Sequence, residues 1–430
     1  MTSKREHSIT NIQYPYLDKW DKDKNHVAFT LKNVHYSLAN AIRRCAISDV
    51  ETIGFRSEPT KYSSIKISRN DTILNNQQIS HRIAMVPVNV GNLSRFDVDD
   101  YEFILDEVNN TNSIKVVTTE HFKVRRISTN KYLSDSEVKQ LLPPSTLSGD
   151  YIPIVKLEPK YYTNIETSPD LSKNISEAIK VPISESVGLT LTAKCVKSTG
   201  VENGHFSPIS VCVYGNTRDV EKVRQGELEY IEQKNTEAST NGLSLLGDDK
   251  LRRRFYLNEV QRFYQVDEYG DPNSFDFKME SVGVIPPLVI MERSISMLCD
   301  KVNNLIQNLS NPTEGKLEIK PTLNMGNGFE VIVENEDDTL GNMVQSYLTR
   351  MFADYSLQPE DRKLVAITYH KTHPLKRQIR FSIKPIENDF SLCIENVIIP
   401  GCKGILKILN NIKLELLDTK QYLDEAKLVA

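Results

Sequence analysis

One stretch of this chain is written twice, and that repeat limits what the chain can fold into. Residues 27–46 read VAFTLKNVHYSLANAIRRCA and residues 329–348 read FEVIVENEDDTLGNMVQSYL. Each copy has the pattern of a strand, a turn, a helix cap and an amphipathic helix. Val27, Phe29 and Leu31 alternate with smaller or polar residues, and Phe329, Val331 and Val333 do the same apart from Ile332. A period of two marks a half-buried strand. Asn33 and Asn335 fall in the turns. Ser37 and Thr339 are placed to cap the helices, where a side-chain oxygen satisfies a free N–H. Leu38, Ala39 and Asn40 answer to Leu340, Gly341 and Asn342. The first helix then sets Leu38, Ala41, Ile42, Cys45 and Ala46 on one face. The second sets Leu340, Met343, Val344, Tyr347, Leu348, Met351 and Phe352 on one face, both at helical spacing. Two such units in one chain can cover each other's apolar faces as an internal pseudo-dimer, as identical subunits do about a two-fold axis.

Bulk properties exclude several classes. The 430 residues allow about three domains. A hydrophobic content of 39% and a charged content of 26% are ordinary for a soluble globular protein. A net charge of −4 does not fit a protein that coats nucleic acid by itself. No apolar run reaches membrane-spanning length, and the polar start, MTSKREHSITN, lacks a signal-peptide core. Six cysteines, at 45, 195, 212, 299, 393 and 402, show no C-x-x-C spacing. This pattern predicts an intracellular, reducing location, with no disulfide framework and no metal or other cofactor. No nucleophile–His–acid set and no phosphate-binding glycine loop stand out.

Between the repeats, residues 51–215 have the pattern of an α+β insertion. Asn75 or Asn76 caps a helix that turns Ile79 and Ile83 inward, with His81 and Arg82 on its rim and Pro87 beyond its end. Residues 142–150 (LPPSTLSGD) form a turn-rich joint, and residues 235–248 a flexible insertion. Lys250, Arg252, Arg253 and Arg254 form a small basic cluster, either a solvated surface or a phosphate contact. Phe275–Gly283 alternate as a strand. After Pro286, Met291, Ile295, Leu298, Val302, Leu305 and Leu309 recur at steps of four and three, a seam suited to packing along another helix. Residues 311–318 form a linker. A last helix, near 402–420, aligns Ile405, Ile408, Leu409, Ile412 and Leu416.

SLANAIRRCAISDVETIGF followed by ISHRIAMVPV resembles the two-part motif of the alpha-like subunits of DNA-directed RNA polymerase, at Asn40, Arg43, Arg44, His81, Arg82 and Pro87. The aromatic-Ser-Pro run in residues 204–214 and the Glu-Ser-x-Gly segment before the long helix are similar to the same family. Beyond residue 311, EDDTLGN is similar to the small alpha-like partner, the eleventh subunit of eukaryotic polymerase II, with Asp338 where that family has His. Tyr369, His373, Pro374 and Leu375, followed by alternating Ile379, Phe381 and Ile383, match its companion motif. Residues 353–362 and 387–401 look longer than that family needs. Many relatives carry clustered cysteines in the insertion, whereas this chain has only Cys195 and Cys212 there.

The resemblance implies an α+β chain in which two alpha-like dimerisation domains pack as an intramolecular pseudo-dimer. Residues 1–50 and 216–310 would form a discontinuous third-subunit-like domain, 51–215 its insertion domain, and 311–430 an eleventh-subunit-like domain. Leu38, Ile42, Met291, Ile295, Leu298, Leu340, Met343, Val344, Tyr347, Ile408 and Ile412 would line the internal interface. Asn40, Arg43, Arg44, His81 and Arg82 would meet partners. The implied role is a non-catalytic assembly platform holding the two largest polymerase subunits, with small zinc-bearing subunits on the insertion and no sequence-specific nucleic-acid binding or membrane contact of its own. A regulator that captures polymerase by mimicking the platform fits the same residues. Fused alpha-like subunits are similar to what some large DNA viruses of eukaryotes encode, which implies a viral protein of the host cytoplasm or nucleus, packaged in the virion.

Overall fold

The computed structural model describes residues 7–17, 24–90, 93, 96–159, 162–165, 179–182, 186–240, 247–312, 315–322, 326, 328–387 and 389–427. Ser8–Gln13 (β1) and His26–Lys32 (β2) lead into helix Tyr36–Ser48 (α1). After the insertion come Ile209–Asn216 (β3), helices Val220–Thr240 (α2) and Asp248–Asn258 (α3), Ser274–Ser281 (β4) and the long helix Pro287–Ser310 (α4). The second half runs Leu317–Pro321 (β5), Phe329–Glu334 (β6), Asp338–Leu348 (α5), Leu364–Lys371 (β7), Gln378–Pro385 (β8), Ile399–Leu417 (α6) and Lys420–Ala426 (α7).

The halves share one topology. The first sheet is ordered β1-β2-β4-β3 and the second β5-β6-β8-β7, antiparallel throughout. In each, a helix follows the second strand and a long helix follows the fourth. The inner faces follow from the period-two pattern. Val27, Phe29, Leu31, Phe275, Phe277 and Met279 are buried in one sheet, and Phe329, Val331, Val333, Ile379, Phe381 and Ile383 in the other. Phe29 and Phe277 stack directly across β2 and β4, with ring centroids 5.1 Å apart. Both sheets and α1, α4, α5 and α6 contribute to one continuous apolar core. Each fully buried Leu or Ile in it contributes roughly 1.5–3 kcal/mol.

The insertion has a core of its own, with Phe55, Ile79, Ile83, Phe103, Leu105, Leu189 and Leu191 buried between a sheet and helix Asn76–Ala84. Asn75 caps that helix in a reciprocal box with Gln78. The expected insertion boundary at residue 215 is too late. β3 pairs with β4 from Ile209 to Asn216, so it belongs to the first sheet.

Two expected irregular segments are partly helical. Residues 235–240 continue helix α2, and residues 241–246 of that expected insertion lie outside the described residues. Residues 313 and 314 of the expected linker also lie outside them. Within 387–401 the chain is helical from Phe390, passing through a π-helical stretch at Ile394–Ile398 before α6. Pro400 has no N–H to donate backwards, and the widened turns stand just where that bond is missing. Residues 349–353 likewise extend α5 as a π-helical turn, while 354–362 is irregular.

The helical approach to α6 brings backbone against side chain at Gly401. A Cβ there would lie 2.1 Å from Leu348 Cδ2 and 3.1 Å from the Phe352 ring. Leu348 is fully buried, so moving its methyl aside disturbs the core. Gly401→Val is therefore expected to destabilise the protein by about 1–3 kcal/mol, read as a lowered thermal unfolding midpoint.

Candidate functional site

The two halves meet along α4 and α6 and, beside them, where α1 crosses α5. Asn33 and Asn335 both adopt left-handed φ angles, 58° and 61°, which Asn tolerates better than most residues. Each turns the chain from strand into helix, so the caps fall earlier than Ser37 and Thr339. His35 Nδ1 accepts from Ser37 N at 3.3 Å, and Asp337 Oδ1 accepts from Thr339 N at 3.0 Å. Ser37 and Thr339 sit in the first turn, and their backbone N–H groups are the ones capped.

The helices pack with opposite ends adjacent. At one end, Arg44 Nε donates to Thr339 Oγ1 at 2.9 Å, and its guanidinium lies 3.5 Å from Asp337. Behind them, Lys301 Nζ of α4 lies 3.0 Å from Asp49 and 3.5 Å from Glu336. Burial pulls the Lys301 ammonium down, but Glu336 and Asp49 outweigh it and hold its pKa above the ordinary lysine value. At the other end, the His35 backbone N–H donates to Tyr347 Oη at 3.4 Å. Burial, followed by the Arg350 charge, pushes the His35 imidazole down to about 4. Arg350 pairs with Asp267 and lies over the Tyr269 ring, 4.8 Å from its centroid. Lys413 of α6 reaches Glu292 at 2.9 Å and Ser296 Oγ at 2.7 Å on α4.

Between these polar ends the seam is apolar. Leu38, Ile42, Met291, Ile295, Leu298, Leu340, Met343, Val344 and Ile412 are each 2% exposed or less. Tyr347 is buried too, and Ile408 is half-buried against the same core. The residues expected to meet partners separate into local groups. Arg43 donates through Nε and Nη2 to Asn40 Oδ1, at 3.0 and 2.9 Å, on the half-exposed flank of α1. Arg44 is turned inward across the seam. On the insertion, exposed His81 pairs with Glu58 at 2.8 Å, and Arg82 donates to the Ile154 carbonyl at 2.6 Å. Cys195 is buried in the insertion core and Cys212 in the first sheet, so the two do not share a site. Among the described residues, no helix is long and apolar enough to cross a membrane.

Residues 28–302 match the family model described as the RNA polymerase Rpb3/Rpb11 dimerisation domain. That stretch covers more than half of the chain and contains most of β2, α1, the insertion, β4 and most of α4. The chain belongs to this family. Two of the relatives that it resembles are RNA polymerase subunits by name. The DNA-directed RNA polymerases I and III subunit RPAC1 of Saccharomyces cerevisiae is 24% identical over 306 residues, 66% of this chain and 84% of that protein. The DNA-directed RNA polymerase subunit Rpo3 of Pyrococcus furiosus is 33% identical over 95 residues, 22% of this chain and 33% of its own length. A conjugation stage-specific protein of Tetrahymena thermophila is 22% identical over 335 residues, 67% of this chain and 93% of that protein.

Within an Rpb3/Rpb11 dimerisation fold, the charged residues of the seam are the ones that sequence reading missed. Lys301 sits one position before Val302 on an otherwise apolar face. That misplaced cation is the signal that could have marked it. Glu425, Arg350 and Lys413 carry no comparable sequence signal, because their partners lie far away in the chain.

Proposed function

We propose that this chain is a non-catalytic assembly platform of a multisubunit DNA-directed RNA polymerase, with both alpha-like partners fused in one polypeptide. One observation carries the reading. Two halves of identical strand order bury their helices in a single core, the arrangement a dimerisation family would otherwise need two chains to make. Family membership and the polymerase relatives support the assignment. The division proposed is a discontinuous third-subunit-like domain, its insertion, and an eleventh-subunit-like domain after residue 311. Joining the halves replaces a bimolecular encounter with an effective concentration on the order of millimolar. The fused architecture is also the basis for proposing a viral source.

The platform would hold the two largest polymerase subunits, which carry the catalytic chemistry, while small zinc-bearing subunits would dock on the insertion. The Asn40–Arg43 flank of α1 and the His81–Arg82 rim are assigned to the second-largest subunit, and the second half to the largest. Purification of the tagged chain is expected to recover both large subunits. Recovery of neither would refute the platform, and reconstituted polymerase that is equally active without the chain would favour a capturing regulator instead.

Arg43 gives the sharpest test of this contact. Among the described residues, its side-chain hydrogen bonds run to Asn40, so Arg43→Glu is expected to leave the unfolding midpoint nearly unchanged while removing the second-largest subunit from the purified complex. Normal assembly of that variant would refute the assignment.

A further inference from the structure

Strands β3 and β4 are direct neighbours, with Asn216 opposite Phe275. A turn of a few residues joins most such pairs, yet here residues 217–273 intervene and carry α2 and α3. A long insertion that the sheet does not require is a common carrier of function. Its base is anchored by backbone bridges between Arg218 and Tyr264 and between Val266 and Pro272. Its own small core, Val223, Phe255 and Val260 with Tyr230 and Phe263, holds the two helices together. Gly226 makes this closeness possible, since a Cβ there would lie 2.3 Å from the Phe263 ring.

α3 buries one face, with Leu251 and Phe255, and Phe255 belongs to that core. The opposite face presents Lys250, Arg253, Arg254 and Leu257, spaced as neighbours on one helical stripe. All four are exposed, Leu257 to 79%, and Tyr256 beside them to 49%. The neighbouring arginines are neutralised: Arg252 pairs with Glu227 at 2.9 Å and Arg262 with Glu259 at 2.9 Å. Among the described residues, Lys250, Arg253 and Arg254 have no such pair. Acidic residues gather instead on α2, where Glu229, Glu232 and Glu237 line one exposed face.

We infer that the α3 stripe of Lys250, Arg253, Arg254 and Leu257 is a docking surface for an acidic polypeptide segment that carries an apolar anchor residue. Three unpaired cations around an exposed leucine are complementary in charge and polarity to such a segment. The exposed Leu257 amid the cations offers apolar area that a phosphate backbone leaves unused, which favours a polypeptide over nucleic acid as the occupant. This surface is separate from the platform contacts proposed above.

The full-length chain is titrated with a fluorescent peptide in which aspartate and glutamate alternate with leucine and phenylalanine, and binding is followed by anisotropy. The expected result is saturable binding that weakens with salt. The triple reversal K250E/R253E/R254E should weaken it about tenfold or more, and Leu257→Ala about threefold, since tenfold corresponds to only ~1.4 kcal/mol. Both variants change solvent-facing side chains, so their melting curves should match that of the unaltered chain. Absence of binding at about 1 mM peptide, roughly −4 kcal/mol, would overturn the inference, as would binding indifferent to these variants. Tighter binding of mixed-sequence single-stranded DNA than of peptide would assign the stripe to nucleic acid. Dimerisation lost on the triple reversal would assign it to a second copy of the chain. Either result would also overturn the inference.

Discussion

Lys301→Ala is expected to lower the unfolding free energy by about 3–5 kcal/mol, the cost of breaking a buried ion network by removing one partner. The Lys301 side chain is only 13% exposed, and it is bound to Asp49 at 6% and Glu336 at 16%. Asp49 stands at the C-terminal end of α1, Lys301 on α4, and Glu336 in the turn entering α5. The network therefore ties the two halves together where their helices cross. Without the ammonium, two carboxylates face each other in a poorly hydrated seam with Asp337 close by. Lys301→Met should be nearly as damaging, because it restores bulk but no charge. Lys301→Met combined with Asp49→Asn and Glu336→Gln should regain most of the loss, since no unpaired charge then remains. Urea unfolding at neutral pH measures all three variants. A loss below about 1 kcal/mol for Lys301→Ala would place the network among ordinary surface pairs and remove it as a determinant of the seam.

Sequence reading identified the apolar parts of this architecture and missed most of the polar ones, for a physical reason. Burial of Leu38, Ile42, Leu298 and Leu340 follows from periodicity within a single element. The same holds for the alternation in β2, β4, β6 and β8. Pairing across the seam depends on which ends of the helices meet, and no local pattern encodes that. Arg44 looks like a free flank residue until α5 is laid against α1 with Thr339 and Asp337 next to it. Local chemistry also misled in places. Ser37 and Thr339 are good cap residues, but the left-handed asparagines two positions before each true cap shift the helix start to His35 and Asp337. Residues 235–240 are rich in Ser and Thr and read as a loop. In the helix, the Thr236, Ser239 and Thr240 hydroxyls donate to carbonyls four residues back, so these side chains satisfy themselves within α2.

The unfolding free energy is expected to fall between about pH 4.5 and 7 in a way that Glu425→Gln removes. Glu425 lies on α7 at 1% exposure, and burial raises its carboxyl to about 7 against the hydrogen bonds it accepts. Those bonds come from Tyr14 Oη at 2.8 Å and Leu288 N at 2.9 Å. Pro286, the cap residue of α4, offers no side-chain acceptor, so a residue from the far end of the chain satisfies a free N–H in the first turn of that long helix. A folded-state pKa above the unfolded value means that the folded form holds the proton more tightly. The stabilisation is complete below the unfolded pKa and is lost as pH rises through the folded one. A change from 4.5 to about 7 corresponds to about 3 kcal/mol across that window. Glutamine cannot titrate, and because the two bonds fall on different oxygens, its NH2 takes the place of one of the two acceptors. Glu425→Gln should therefore be less stable than the unaltered chain at pH 5, and the gap should close toward pH 7.5. Urea midpoints at the two pH values give the difference directly. A gap that does not change with pH would mean that Glu425 is ionised throughout, its charge held by the N-terminal turn of α4. The C-terminal helix would then anchor the first half electrostatically rather than as a neutral acid.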